Sequence, residues 1–218
     1  EPAADGPGTV LTDLFPSDYI RVMFPPSTYL GIGTYFPEGG HAAISTEVDD
    51  CLQIIPIKHK NHHPVAELPE SMQTAMIEFF LGTAVRRIRD KKTKTASMLI
   101  NVSRFKSVER RVADLADEFL TQTVAVILSE FARRTTARSA AADRLQRTWS
   151  VRFANVTDVT WEQVSGKLVE IAHEFRIDLI NGDTAKDRAK RRKLMTVTER
   201  EADDLVPKII VGGDILSR

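Results

Sequence analysis

The sequence predicts an α/β protein in which helices flank a parallel sheet, preceded by an irregular, β-rich segment over residues 1–66. From residue 67 onward, short apolar runs that suit buried strands alternate with longer segments whose apolar residues recur at helical spacing. Strands separated by helices connect through right-handed crossovers, which make the sheet parallel and place helices on its faces. The composition, 42% hydrophobic and 28% charged, is that of a soluble globular protein.

The first 66 residues are rich in proline and glycine, which interrupt regular structure, so we expect little helix in this segment. Between these residues, Tyr19–Phe24 and Cys51–Ile55 have the composition of strands. Cys51 is the single cysteine, so an intramolecular disulfide and a cysteine-rich zinc site are both excluded.

A long helix is predicted over residues 69–90, because Pro69 has no N–H to lose at the first helical position and Glu70 suits the positive end of the dipole. The apolar run 97–102 suits a buried strand, and Ser107 is predicted to cap a helix that reaches residue 134. The remaining predicted elements are helices over 137–147 and 160–175, strands over 177–180 and 209–211, and a charged segment over 183–206. We therefore expect residues 67–218 to form one domain with a helical insertion around 135–175.

Polar or glycine-containing turns follow all three predicted strands. They are Ser103-Arg104, Gly182-Asp183-Thr184 and Gly212-Gly213-Asp214. Because ligands of parallel sheets bind beyond the carboxyl ends of the strands, we expect the three turns to meet at one rim. Glycine lets the main chain approach a phosphate, and Arg104 and Arg218 each carry a guanidinium that can bind phosphate through two donors. One such turn alone is more often only a turn, but three at one edge predict a cradle for phosphate groups.

The formal net charge is zero, so the charge of the whole chain predicts no partner. Two local runs, Arg86–Lys94 and Lys186–Lys193, are strongly basic and suit either phosphate contacts or a solvated surface. The N-terminus has no signal-peptide pattern, and the apolar runs are shorter than the roughly 20 residues that cross a bilayer. We expect a cytoplasmic protein without a membrane partner.

Two clusters contain the residue types of metal sites. His59, His62 and His63 lie close together, but the lysines and proline around them favour an exposed loop, and no metal is predicted. Asp90-x-Lys92 has the acid-x-lysine spacing of metal-dependent nucleases, although at the end of a predicted helix instead of on a strand. Asp49 and Asp50 have no such lysine partner nearby.

Several blocks of the sequence resemble the bacterial endonuclease Z-one domain, which occurs in large superfamily-two helicase-like proteins of restriction and defence loci. The blocks are Asp13–Ile20, Pro26–Gly31, Met98–Phe105 and, most distinctively, Ile209–Arg218. The resemblance implies a partial second RecA-like lobe. It also implies that Ser103, Arg104, Gly182, Asp183, Thr184 and Gly212 bind the nucleic-acid backbone, and that Gly213, Asp214 and Arg218 bind nucleotide.

The resemblance further implies ATP and Mg²⁺ as cofactors of a longer parent protein, with DNA, a first RecA-like lobe and restriction-system subunits as partners. The chain contains no Gly-x-x-x-x-Gly-Lys-Ser/Thr motif, and both of its ends look like cuts in a longer chain. We therefore expect this fragment to carry no cofactor and to be inactive alone as an ATPase. Two alternatives stay open, a metal-dependent endonuclease using Asp49, Asp50 or Asp90, and a docking module that uses the 186–193 run.

Overall fold

The computed structural model describes residues 46–92, 94–133, 138–155, 157–180 and 206–213. The chain divides into two compact units, 1–47 and 48–218, and the described residues belong almost wholly to the second. The predicted strand Tyr19–Phe24 lies outside the described residues. The predicted boundary at residue 66 stays a prediction, although Ile55 and Val65 are already buried in the core of the second unit.

The second unit contains five α-helices and three strands among its described residues. In chain order they are α1 (Asp50–Ile54), α2 (Glu70–Arg89), β1 (Ser97–Ile100), α3 (Lys106–Val126), α4 (Ala140–Arg152), α5 (Trp161–Ile171), β2 (Arg176–Ile180) and β3 (Lys208–Gly212). A π-helical turn, Ile127–Phe131, continues α3, and a 3₁₀ turn, Ala172–Glu174, continues α5.

The three strands form one parallel sheet in the order β1-β3-β2. Ile100 of β1 pairs with Val211, and Ile180 of β2 pairs with Gly212, so β3 is hydrogen-bonded on both sides. The prediction of an α/β fold with a parallel sheet flanked by helices is thereby confirmed.

Helix α2 carries much of the core. It begins at Glu70, one residue later than predicted, with Pro69 as its N-cap, and it buries Met76, Phe80 and Leu81 almost completely. The Phe80 ring meets the Phe175 ring edge-on, with centroids 4.8 Å apart, just before β2 begins. Helix α2 packs against α4 and α5, whereas the sheet packs against α3 through β2 and β3.

Two local predictions were wrong. The residues predicted as a strand at Cys51–Ile55 form helix α1, whose amide groups bond locally, as in Ile55 N to Cys51 O at 2.7 Å. Cys51, Ile54 and Ile55 are spaced i, i+3 and i+4, which puts them on one helical face. Helix α3 begins before Ser107, and the Ser107 hydroxyl donates to Asn61 Oδ1 at 2.6 Å instead of capping the helix.

Candidate functional site

The carboxyl ends of the three parallel strands lie at one edge of the sheet, which we call the carboxyl edge. Ile100, Ile180 and Gly212 are the last residues of their strands, and the register places Ile180 directly beside Gly212. Gly212 is thus a strand residue, and Gly213 is the first residue beyond the central strand. The chain therefore leaves β3 between the carboxyl ends of β1 and β2.

Gly213 packs against the start of helix α3 and against the turn after β1. A Cβ atom built on Gly213 would overlap Glu109 Oε1 and would lie 2.7 Å from the carbonyl oxygen of Ser103. Ser103 and Glu109 are 7% and 3% exposed, so neither can move aside into solvent. The structure thus brings together two of the three predicted turns, and it adds a buried carboxylate that was not predicted there.

Ser103 is held by two hydrogen bonds from different parts of the chain. Its Oγ accepts the backbone N–H of Phe105 at 2.9 Å, and it lies 2.8 Å from His59 Nε2. The other ring nitrogen, His59 Nδ1, lies 2.7 Å from the carbonyl oxygen of Pro56. The His59 imidazole therefore links the loop before α2 to the carboxyl edge by hydrogen bonds. The sequence analysis did not predict this role for His59.

Arg104 lies on the exposed side of the same turn. Its guanidinium carbon lies 5.0 Å from the ring centre of Phe105, a cation–π arrangement, and the side chain is exposed. The Phe105 ring in turn meets the His59 ring nearly at right angles, with centroids 5.4 Å apart. This stack holds a planar cation at the carboxyl edge, next to Ser103.

The other predicted site residues lie outside the described residues. They are Gly182, Asp183, Thr184, Asp214 and Arg218. The described residues before these gaps, Ile180 and Gly213, lie at the carboxyl edge. The predicted roles of these five residues in binding phosphate or nucleotide stay predictions.

The three neighbouring histidines bond to protein groups. His63 Nε2 lies 2.7 Å from the carbonyl oxygen of Ile54, and His62 Nε2 lies 3.2 Å from Asn61 Nδ2. Within the described part of the chain, no three or more His, Cys, Asp or Glu residues are arranged to hold a metal ion. The histidines in this stretch instead organise the loop that reaches Ser103.

The acids considered for a nuclease centre have structural contacts. Asp50 accepts hydrogen bonds from the backbone N–H of Ser71 at 2.7 Å and from the Ser71 hydroxyl at 2.5 Å, at the start of α2. Asp90 Oδ1 accepts the backbone N–H of Lys92 at 2.9 Å, in a turn beyond α2. The two carboxylates therefore sit at opposite ends of one helix of 20 residues.

Asp50 makes a pH-dependent contribution to stability. The Ser71 hydroxyl, and next the Ser71 backbone N–H, lower the pKa of Asp50 by bonding to its ionised form. A lowered pKa in the folded protein stabilises the fold above the ordinary aspartate pKa, about 3.9, and this contribution is lost as the pH falls through the lowered value. Asp50→Asn should therefore lower the melting temperature at neutral pH, and the difference from the native protein should shrink below about pH 4.

Thermal unfolding followed by circular dichroism across this pH range measures the effect. Asp49→Asn is the matched control, since within the described residues the Asp49 side chain makes no capping hydrogen bond. A melting-temperature difference for Asp50→Asn that stays constant with pH would contradict the assignment.

Three arginines of the first basic run are engaged within the fold. Arg87 Nη2 donates to Glu174 Oε2 at 2.7 Å and to the carbonyl oxygen of Lys94 at 2.6 Å. Arg89 pairs with Asp158 at 2.6 Å, and Arg86 donates to the carbonyl oxygen of Thr95. These side chains bind to the residues that lead into β1 and to the segments beside them. This favours a structural role for the first basic run over a phosphate-binding role. The second run, 186–193, lies outside the described residues.

The helices that the structure describes are unsuited to crossing a lipid bilayer. None of these described helices combines the length and the apolar character that a membrane-spanning segment needs.

Comparison with known proteins gives one match. The family model of the Z1 domain matches residues 71–218, which include Ser103, Glu109 and Gly213, whereas His59 precedes the matched residues. No curated protein and no solved structure matches the chain. Because the matched residues make up more than half of the sequence, the chain belongs to the Z1 domain family.

Proposed function

We propose that this Z1 chain is most of the second RecA-like lobe of an ATP-dependent DNA helicase or translocase from a restriction or defence system. In this proposal the carboxyl edge holds phosphate groups of the nucleic-acid backbone. The observation that carries the proposal is that Ser103 and the exposed Arg104 lie together at the carboxyl edge of a parallel sheet, in the turn that packs against Gly213. Open parallel sheets bind their ligands at this kind of edge.

The phosphate contact is argued from Arg104 and Ser103. The approach of Glu109 explains the glycine at 213 on packing grounds alone, so that glycine adds little to the argument for a ligand. Arg104 presents a planar cation whose N–H groups match phosphate oxygens, and its stacking on Phe105 restricts its orientation. A cation already restricted in this way loses less conformational freedom when it binds.

The nucleotide contacts belong to the proposal for the longer parent protein. ATP and Mg²⁺ would bind between this lobe and a first lobe that carries the phosphate-binding loop. Gly213, Asp214 and Arg218 would face the nucleotide, and Gly182, Asp183, Thr184 and Gly212 would join Ser103 and Arg104 on the backbone. Catalysis of phosphoryl transfer rests chiefly on positioning and on electrostatic stabilisation, which such contacts supply.

Replacement of Arg104 tests the backbone contact. We expect Arg104→Ala to weaken binding of a labelled oligothymidylate about three- to tenfold at low salt and to reduce the salt dependence by about one phosphate contact. Fluorescence anisotropy at several salt concentrations gives both values. The matched control is Arg152→Ala, because Arg152 is a half-exposed arginine on α4 that pairs with Glu78. Equal affinities of the two variants would contradict the proposal.

The same purified proteins distinguish the helicase-lobe hypothesis from the endonuclease hypothesis. A lobe without its phosphate-binding loop should not hydrolyse ATP, so measurable turnover by residues 1–218 would overturn the lobe assignment. Cleavage of plasmid that requires Mg²⁺ and is lost in Asp90→Ala would instead favour a metal-dependent endonuclease.

A further inference from the structure

The proton positions on His59 follow from its two partners. The Pro56 carbonyl oxygen can only accept a hydrogen bond, so the nitrogen facing it, Nδ1, carries a proton. In a neutral imidazole the other nitrogen, Nε2, is then an acceptor. While the imidazole is neutral, the contact at 2.8 Å is therefore a hydrogen bond that the Ser103 hydroxyl donates to His59.

This arrangement decides what Ser103 can offer to a ligand. The hydroxyl has one proton and two lone pairs, and the backbone N–H of Phe105 already occupies one lone pair. While His59 is neutral, the single proton points to Nε2, so none is available for an anion. Once His59 is protonated, Nε2–H donates to Oγ and fills the second lone pair. The hydroxyl O–H no longer donates to His59, and it can then donate a hydrogen bond to a phosphate oxygen.

We propose that His59 is a positioning residue for Ser103, and that phosphate binding at the carboxyl edge is coupled to uptake of one proton by His59. The inference rests on the proposed function, because it specifies the protonation state in which Ser103 contacts a backbone phosphate. Histidine is suited to the role because its ordinary charge change falls between about pH 5 and 8. By linkage, the affinity for phosphate rises as the pH falls, by at most about tenfold per pH unit for one proton.

The titratable and charged groups of the described residues near His59 lie on its own loop and on the turn after β1. The ring of His63 lies 5.9 Å away, and Arg104 lies over the Phe105 ring that His59 contacts. On the same edge, the Glu109 carboxylate lies next to Gly213, and the chain neighbours of His59 are the exposed residues Lys58 and Lys60. A phosphate group that binds at Ser103 would attract an added proton on the neighbouring imidazole. Uptake is therefore expected upon binding.

Calorimetric titration of the chain with oligothymidylate tests the coupling. Near neutral pH, in two buffers of different ionisation enthalpy, the difference in heat gives the number of protons taken up. We expect uptake approaching one proton in the native protein and none in His59→Gln. The affinity should fall with rising pH in the native protein but not in His59→Gln. His62→Gln is the matched control, because that exposed ring bonds to Asn61 and should leave the uptake unchanged.

Two more variants keep the result interpretable. Ser103→Ala should also abolish uptake, which gives an independent test if His59→Gln folds poorly. Glu109→Gln should retain uptake, which would assign the proton to the imidazole. Binding without proton uptake, or uptake that survives in His59→Gln, would overturn the inference and leave the proposed function standing. Absence of binding at every pH would overturn the proposed function itself.

Discussion

Gly213→Ala is expected to lower the free energy of unfolding by about 3 kcal/mol, the upper part of the range for overpacking a tight site. The new methyl group would overlap Glu109 Oε1, and it would lie 2.7 Å from the Ser103 carbonyl oxygen. The carboxylate can rotate, but the carbonyl oxygen is backbone and moves only if the turn after β1 moves. The substitution should therefore separate β3 from that turn, and it should weaken oligonucleotide binding as well as stability.

Urea unfolding followed by tryptophan fluorescence measures the change in stability. The control is Gly166→Ala on α5, where no described atom lies within 4 Å of an added Cβ. Because alanine is the better helix former, that variant should gain about 0.5–1 kcal/mol. If Gly213→Ala were as stable as the native protein, the carboxyl edge would be looser than the distances indicate.

The elements that sequence predicted well are those with strong local signals. Pro69 and Glu70 mark the start of α2. Thr160 is the N-cap of α5 and forms a reciprocal capping box with Gln163. Short apolar runs between the helices indicated the strands and hence a parallel sheet. Such patterns depend on residues within one or two turns of each other, so they can be read without the fold.

The parts that were missed depend on contacts between distant residues. His59 and Ser103 are 44 residues apart, and Ser107 bonds to Asn61 across 46 residues. Glu109 resembles any acidic residue in the first turn of a helix, and only the fold places it against Gly213. The meeting of two strand-end turns was predictable from topology, whereas the contacts of the His59 imidazole and the Glu109 carboxylate with those turns were not.

The opposite edge of the sheet, where the strands begin, supplies stability and can be perturbed without touching the candidate site. Arg87, 11% exposed, binds both oxygens of Glu174 at 2.7 and 3.2 Å and also binds the Lys94 carbonyl oxygen. Lys94 precedes β1 and Glu174 precedes β2, so one guanidinium joins the segments that lead into both outer strands.

Glu174→Ala should therefore destabilise the fold by about 1–3 kcal/mol, because it leaves a largely buried guanidinium without its carboxylate. The cost stays below that of breaking a fully buried ion pair, since the Glu174 side chain is 36% exposed and water partly replaces it. The control is Glu78→Ala, which removes the carboxylate from the more exposed pair with Arg152 and should cost less than about 1 kcal/mol. Urea unfolding compares the two variants.

Oligonucleotide binding by Glu174→Ala, measured below its melting temperature, distinguishes a stabilising edge from a binding edge. The carboxyl edge keeps Ser103, Arg104 and Gly213 in this variant, so affinity and its pH dependence should match those of the native protein. Gly213→Ala, by contrast, should lose stability and binding together. If Glu174→Ala lost binding while remaining folded, phosphate contacts would have to extend to the amino ends of the strands, and the assignment of binding to the carboxyl edge would be wrong.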